Sequence, residues 1–189
     1  MKRIIILASG SGTNAENIIK YFKNSNVVSV VQVLSNRKDA KVLDRARRLG
    51  VECSSFTRDA FYNTDDVLNN LKSNADLIIL AGFLWKLPSN VVKAFPEAII
   101  NIHPALLPKY GGKGMYGMNV HNAVVKNNEK SSGITIHFVN ENYDEGAIIF
   151  QESFKVLSTD TAEDVASKVH ELEYEYFPKV IEEVVVCLN

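Results

Sequence analysis

Cysteine is scarce, with Cys53 and Cys187 the two among 189 residues, far apart and without a C-x-x-C pair. That excludes a disulfide framework and points to free thiols in a reducing cytosol, so a cytoplasmic protein is expected. Histidine is nearly as sparse. His103, His121, His137 and His170 are dispersed, with no H-x-x-x-H or mixed Cys/His spacing of the kind that assembles a metal site, so no metal is expected. Excess charge is missing too: 21 Lys and Arg face 22 Asp and Glu, for a net charge of -1 and a pI near 6.4. Such a chain has no general basic field to attract nucleic acid, and any phosphate must be met locally. Long apolar runs are also absent. Ile4-Ile5-Ile6-Leu7-Ala8 after Met1-Lys2-Arg3 mimics a signal peptide, but five apolar residues are too few for an h-region or a membrane span. They suit a buried first strand. No repeat, low-complexity tract or linker interrupts the rest.

What the chain does have is core-forming material. A 46% hydrophobic fraction over this length supports one domain with a sizeable core and is too little for two, so 1–189 is expected as a single domain. Apolar runs at 4–8, 27–34, 51–56, 76–81 and 98–102 predict strands, and segments of helical period near 14–23, 40–49, 61–73 and 88–95 predict helices between them. This alternation predicts an α/β, Rossmann-like fold, a mostly parallel sheet flanked by helices. Gly50 fits a helix stop and Pro88 a first helical turn. Beyond the glycine-rich stretch Lys109–Gly117 the pattern changes. A helix near 118–127 leads to Ile134, Ile136 and Phe138 alternating with Thr135, His137 and Val139, then to a strand at 147–156, an antiparallel C-terminal addition to the sheet. Thr161 with Asp164 predicts a capping box for a last helix striped by Val165, Val169, Leu172 and Tyr176, which Pro178 should kink or restart.

Three elements carry chemistry. Asn101-Ile102-His103-Pro104 ends a buried strand, where open α/β sheets bind ligands, and residues two apart on a strand point to the same side. A carboxamide donor beside an imidazole suits acyl transfer, whose tetrahedral intermediate carries an oxyanion and a proton in transit. Ser9-Gly10-Ser11-Gly12-Thr13-Asn14-Ala15, at the exit of the first strand, permits close backbone approach and offers a helix start to a phosphate. It also matches the dinucleotide fingerprint G-x-G-x-x-A, and Ser35-Asn36-Arg37 at the second strand's end keeps NADP open as an alternative ligand. Finally, Asp144 lies in the turn Val139–Gly146. If that hairpin folds over the sheet's carboxyl edge, Asp144 reaches His103, holds the imidazolium and accepts a proton from an attacking amine.

The segments Ser9–Asn14, Leu34–Arg37, Leu80–Phe83, Asn101–Pro108, Gly133–Val139 and Asp144–Gly146 together resemble the phosphoribosylglycinamide formyltransferases over essentially the whole length. These are folate-dependent enzymes of purine biosynthesis. The resemblance implies transfer of the formyl group of 10-formyltetrahydrofolate to the amine of 5-phosphoribosylglycinamide, by a monomer or homodimer with small-molecule partners and neither nucleic acid nor membrane. It implies that Gly12, Thr13 and Asn14 hold the substrate's phosphate, that Asn101 and His103 stabilise the oxyanion and donate a proton, and that Asp144 raises the histidine's pKa. Leu84, Trp85, Lys86 and Leu87 are then expected along the pterin pocket with Asn101, Arg58 near the folate, and Glu173 against the substrate. His170, where the family more often has Gln, is expected near the phosphate. Trp85 stands where a basic residue is commoner, and the Lys109–Gly117 loop is longer than the commonest version. Residues 1–100 would form the phosphate-binding half and 101–189 the catalytic and folate-binding half. Other folate-dependent N-formyltransferases, a formyltetrahydrofolate deformylase and a non-catalytic NADP-binding module remain alternatives. A methionyl-tRNA formyltransferase would be expected to carry an added C-terminal tRNA-binding domain.

Overall fold

The computed structural model describes residues 1–187; the last two residues of the expected domain, 188 and 189, lie outside the described residues. β1 (Lys2–Leu7), β2 (Val28–Ser35), β3 (Glu52–Ser55), β4 (Leu77–Leu80) and β5 (Ile99–His103) are parallel, while β6 (Ser131–Phe138) and β7 (Ile148–Lys155) join antiparallel. The sheet order is β3-β2-β1-β4-β5-β6-β7. Parallel strands covered on both faces need apolar residues at every position, and β1 shows why the run 4–8 is unbroken. Ile4, Ile6 and Ala8 pack with α1 (Thr13–Tyr21), α2 (Lys41–Arg48) and α7 (Ala162–Cys187). Ile5 and Leu7 pack the other way, with α3 (Arg58–Tyr62), α4 (Asp66–Asn74) and α5 (Ser89–Ala94). The remaining helix, α6 (Met118–Lys126), follows the glycine-rich loop.

Two helical expectations need correction. The segment 61–73 is not one helix but the end of α3 and most of α4. Thr57 Oγ1 accepts from Ala60 N at 3.1 Å to start α3, and Thr64 Oγ1 accepts from Asp66 N at 3.3 Å where α4 begins. The last helix, in turn, does not restart at Pro178. Proline removes the hydrogen bond to the carbonyl four residues back. That carbonyl, Tyr174 O, instead accepts from Asn17 Nδ2 on α1 at 2.9 Å, so the polar group is satisfied and the helix runs on. At its start the capping box forms as expected, with Asp164 N donating to Thr161 Oγ1 (3.2 Å) and Thr161 N to Asp164 Oδ2 (2.8 Å).

The chain winds outward from β1 to β3, then crosses back to β4, so β1 and β4 form a topological switch point where a crevice opens at their carboxyl ends. The two strand exits are tied together. Ser9 N donates to Gly82 O at 3.0 Å, and Ser9 Oγ accepts from Leu84 N at 2.9 Å. Among the described residues no helix is long and apolar enough to cross a membrane, and no group of three or more His, Cys, Asp or Glu is placed to hold a metal ion.

Candidate active site

A cleft of about 700 Å³ occupies the switch point. Its glycine-loop end is built by the exit of β1. Gly12 sits at φ 77°, ahead of the first turn of α1, and a helix start with no side chain capping it presents backbone N–H groups and a positive dipole end. The loop is braced from outside: Arg45 Nε donates to Ser11 O at 2.8 Å and its guanidinium pairs with Glu16. A Cβ on Gly12 would meet Val42 at 2.4 Å, whereas one on Gly10 meets nothing within 4 Å among the described residues. The close approach that Gly12 permits is therefore that of α2, and Gly10 is the glycine with open space at the cleft.

Gly12, Thr13, Asn14, His170 and Glu173 all line this end, as the sequence suggested. Asn14 Nδ2 donates to Glu173 Oε2 at 2.9 Å, and His170 Nδ1 lies 2.8 Å from the same oxygen. The hydrogen bond it donates to Glu173 pushes the half-buried His170 above the ordinary imidazole pKa, favouring a cation. His121 on α6 also faces the cleft, and sequence reading missed it. It is buried, its Nδ1 has no hydrogen-bond partner among the described residues, and burial pulls its pKa down. Arg37, by contrast, is held at the surface by Asp39 (3.0 Å) and is not part of the cleft wall, which removes the residue that kept NADP open.

The middle of the cleft holds Asn101, His103 and Asp144. The turn after β5 is pinned by Thr135, whose hydroxyl donates to Ala105 O (2.7 Å) and accepts from Leu107 N (3.0 Å). The β6–β7 loop does fold over the carboxyl edge. Asp144 takes a left-handed φ of 54°, a conformation Asp adopts more readily than most residues, and its Oδ2 accepts from Gly112 N at 2.8 Å. The carboxylate then stands 3.7 Å from His103 Nδ1 and 3.7 Å from His137 Nε2, too far for a hydrogen bond but close enough to act by charge. His103 Nε2 lies 2.7 Å from Tyr110 O; a carbonyl only accepts, so Nε2 carries a proton and Nδ1 is the ring atom that faces Asp144. Burial lowers the His103 pKa; Asp144 and the Tyr110 carbonyl pull it upward without overcoming burial. The expectation that Asp144 raises this pKa thus holds for its own contribution and not for the net result.

The glycine-rich loop is therefore part of the site, since Tyr110 O contacts the His103 ring and Gly112 N donates to Asp144. Leu84 is exposed on the cleft wall. Of the other residues expected on the pterin side, Asn101 lines the same cleft. Leu87 is buried in the core beneath α5, Lys86 Nζ lies over the Tyr143 ring at 5.5 Å, and Arg58 lies over Tyr62 (4.8 Å) and Trp85 (5.6 Å) in an aromatic cluster beside the cleft. The cleft draws on both halves of the chain: the glycine loop and Leu84 come from the first, and His103, Asp144, His170 and Glu173 from the second.

A doubly wound sheet with an amide, an imidazole and a carboxylate at its carboxyl edge defines a group-transfer enzyme of the α/β class. Residues 2–181 match the formyl transferase family, and the chain belongs to it. The chloroplastic phosphoribosylglycinamide formyltransferase of Arabidopsis thaliana is 38% identical over 189 residues, covering 95% of this chain; the chain spans only 64% of that relative's length. The phosphoribosylglycinamide formyltransferase of Haemophilus influenzae is 37% identical over 187 residues, 96% of this chain and 86% of its own. The crystal structure of glycinamide ribonucleotide transformylase 1 from Symbiobacterium toebii has a TM-score of 0.89 at 34% identity, covering 98% of this chain and 88% of that one.

Proposed function

We propose that this protein transfers the formyl group of 10-formyltetrahydrofolate to the amine of 5-phosphoribosylglycinamide, a step of de novo purine (IMP) biosynthesis. The observation that carries this is the union, in one cleft, of an uncapped helix start, and of His170 with its raised pKa, with the set Asn101, His103 and Asp144. The cleft volume lies within the roughly 300–1,000 Å³ of small-molecule sites, and Phe83, Leu84 and Met115 give it apolar wall for a flat ring.

The residues divide the work as follows. Backbone N–H groups at Gly12, Thr13 and Asn14 hold the phosphate, with His170 beside it and Glu173 accepting from the substrate's hydroxyls. The amine attacks the formyl carbon directly, with no covalent enzyme nucleophile. Asn101 donates its amide N–H to the oxygen that gains charge, and His103 as imidazolium donates from Nδ1, since Nε2 is engaged by Tyr110. Asp144 stabilises that imidazolium across 3.7 Å and takes up the proton shed by the amine; the bond from the formyl carbon to N10 then breaks as N10 takes the proton that His103 gives up. The deciding assay follows formyl loss from 10-formyltetrahydrofolate with and without the ribonucleotide. Acceptor-dependent formylation is expected. Equal loss without acceptor would make the protein a deformylase, and no loss in either case would leave a binding module.

A further inference from the structure

We infer that His137 is a positioning residue for the transfer, fixing which end of the Asn101 carboxamide faces the reacting oxygen; this rests on the reaction proposed above. His137 lies on β6 directly opposite Asn101 on β5, with its side chain 2% exposed. Its Nδ1 is 2.8 Å from Phe138 O, and because a carbonyl only accepts, Nδ1 must carry the ring's proton. In the neutral ring Nε2 is then a bare lone pair. It sits 3.1 Å from Asn101 Nδ2.

A carboxamide is nearly symmetric in shape but has a donor end and an acceptor end. Only the NH₂ end satisfies the Nε2 lone pair. With one N–H committed to His137, the second is left for the cleft that Asn101 lines, where a developing oxyanion needs a donor. Were the amide reversed, Oδ1 would face a lone pair inside a buried pair of strands, and no N–H would be offered. Burial keeps His137 in the neutral form this arrangement requires, lowering its pKa against the pull of Asp144 and the Phe138 carbonyl. The chain thus sets the polarity of an oxyanion donor through a tautomer chosen by a backbone carbonyl.

The test compares His137→Leu, which removes the acceptor, with His137→Gln, whose terminal oxygen reaches as far as imidazole Nε2 and restores one. The leucine variant should lose on the order of tenfold to hundredfold in kcat, short of the roughly 10²–10³-fold that an oxyanion donor carries, with KM little changed. The glutamine variant should recover most of that loss. Equal impairment of both variants, a loss confined to KM, or no loss in the leucine variant would overturn the inference. Nitrogen NMR of the wild-type protein decides independently of folding and of turnover. A protonated Nδ1, a bare Nε2 and an Asn101 NH₂ resonance coupled to Nε2 are expected; an Nε2–H tautomer would overturn it. A wild-type protein that forms no formylated ribonucleotide would sink the proposed reaction while leaving that NMR result to stand or fall by itself.

Discussion

Gly10 and Gly12 are two residues apart, yet alanine should damage them in opposite ways. At Gly12 the backbone is left-handed at φ 77°, which costs an L-residue roughly 1–2 kcal/mol. The added Cβ would lie 2.4 Å from Val42 Cβ and 2.7 Å from its Cα. Val42 is fully buried on α2 and has nowhere to move, so overpacking adds roughly 1–3 kcal/mol. Gly12→Ala should therefore lose roughly 2–5 kcal/mol of folding stability. Gly10 carries neither burden, because its φ is not positive and no atom lies within 4 Å of the new Cβ among the described residues. Gly10→Ala should stay within about 0.5 kcal/mol of wild type in stability. Gly10 lines the cleft, so on the proposed function the added methyl group should crowd a phosphate held by the glycine loop. A hydrogen bond to a charged group contributes roughly 1.5–3 kcal/mol, so losing one weakens ribonucleotide binding roughly tenfold to hundredfold. Urea unfolding reads the first effect, and calorimetric titration with 5-phosphoribosylglycinamide and, separately, a folate ligand reads the second. A Gly12→Ala protein as stable as wild type, or a Gly10→Ala protein weakened toward folate alone, would refute the reasoning.

His103→Gln should lower turnover roughly 10²–10⁴-fold and Asn101→Ala roughly 10²–10³-fold, in steady-state assays at saturating substrate; losses of only a few-fold would remove them from the chemistry. Asp144→Asn takes away a charge that favours the His103 imidazolium, so the limb of the pH–rate profile where turnover falls with rising pH should move to lower pH. The control Glu141→Gln, an exposed carboxylate paired with Ser89 and Lys93, should leave that profile in place. Stability should fall with acid between about pH 7 and 5, read as urea midpoints. His103, His121 and His137 have folded pKa values below the ordinary 6.5, so the unfolded chain binds more protons and their contribution, full above 6.5, is lost as pH falls. His170 acts with the opposite sign but is half exposed and weighs less. A midpoint that rises on acidification would show these histidines to be charged in the fold.

The strands were legible because a two-sided parallel sheet demands unbroken apolar runs, and β1, β4 and β5 obey that demand almost residue for residue. The break between α3 and α4 was hidden because Phe61, Leu68 and Leu71 keep a helical spacing on both sides of it, while the new start is marked by the hydroxyl of Thr64. Pro178 misled for a related reason: the group that rescues its helix is Asn17, far away in sequence. In the site, Asn101 and His103 stood out as neighbours at a strand end. His137 did not, since along β6 it is simply one of the residues alternating with Ile134 and Ile136. Its meaning arises from the antiparallel register that sets it against Asn101, which no local pattern encodes.

The hydrogen bond from Asn14 to Glu173 closes a loop of 159 residues. During synthesis the glycine loop emerges well before its partner carboxylate, which follows every strand of the sheet. The substrate end of the cleft is thus absent from the growing chain and arises only when α7 docks on α1. Ligand affinity in this protein reports completed folding, and a bound ribonucleotide would tie the last helix to the first by mass action.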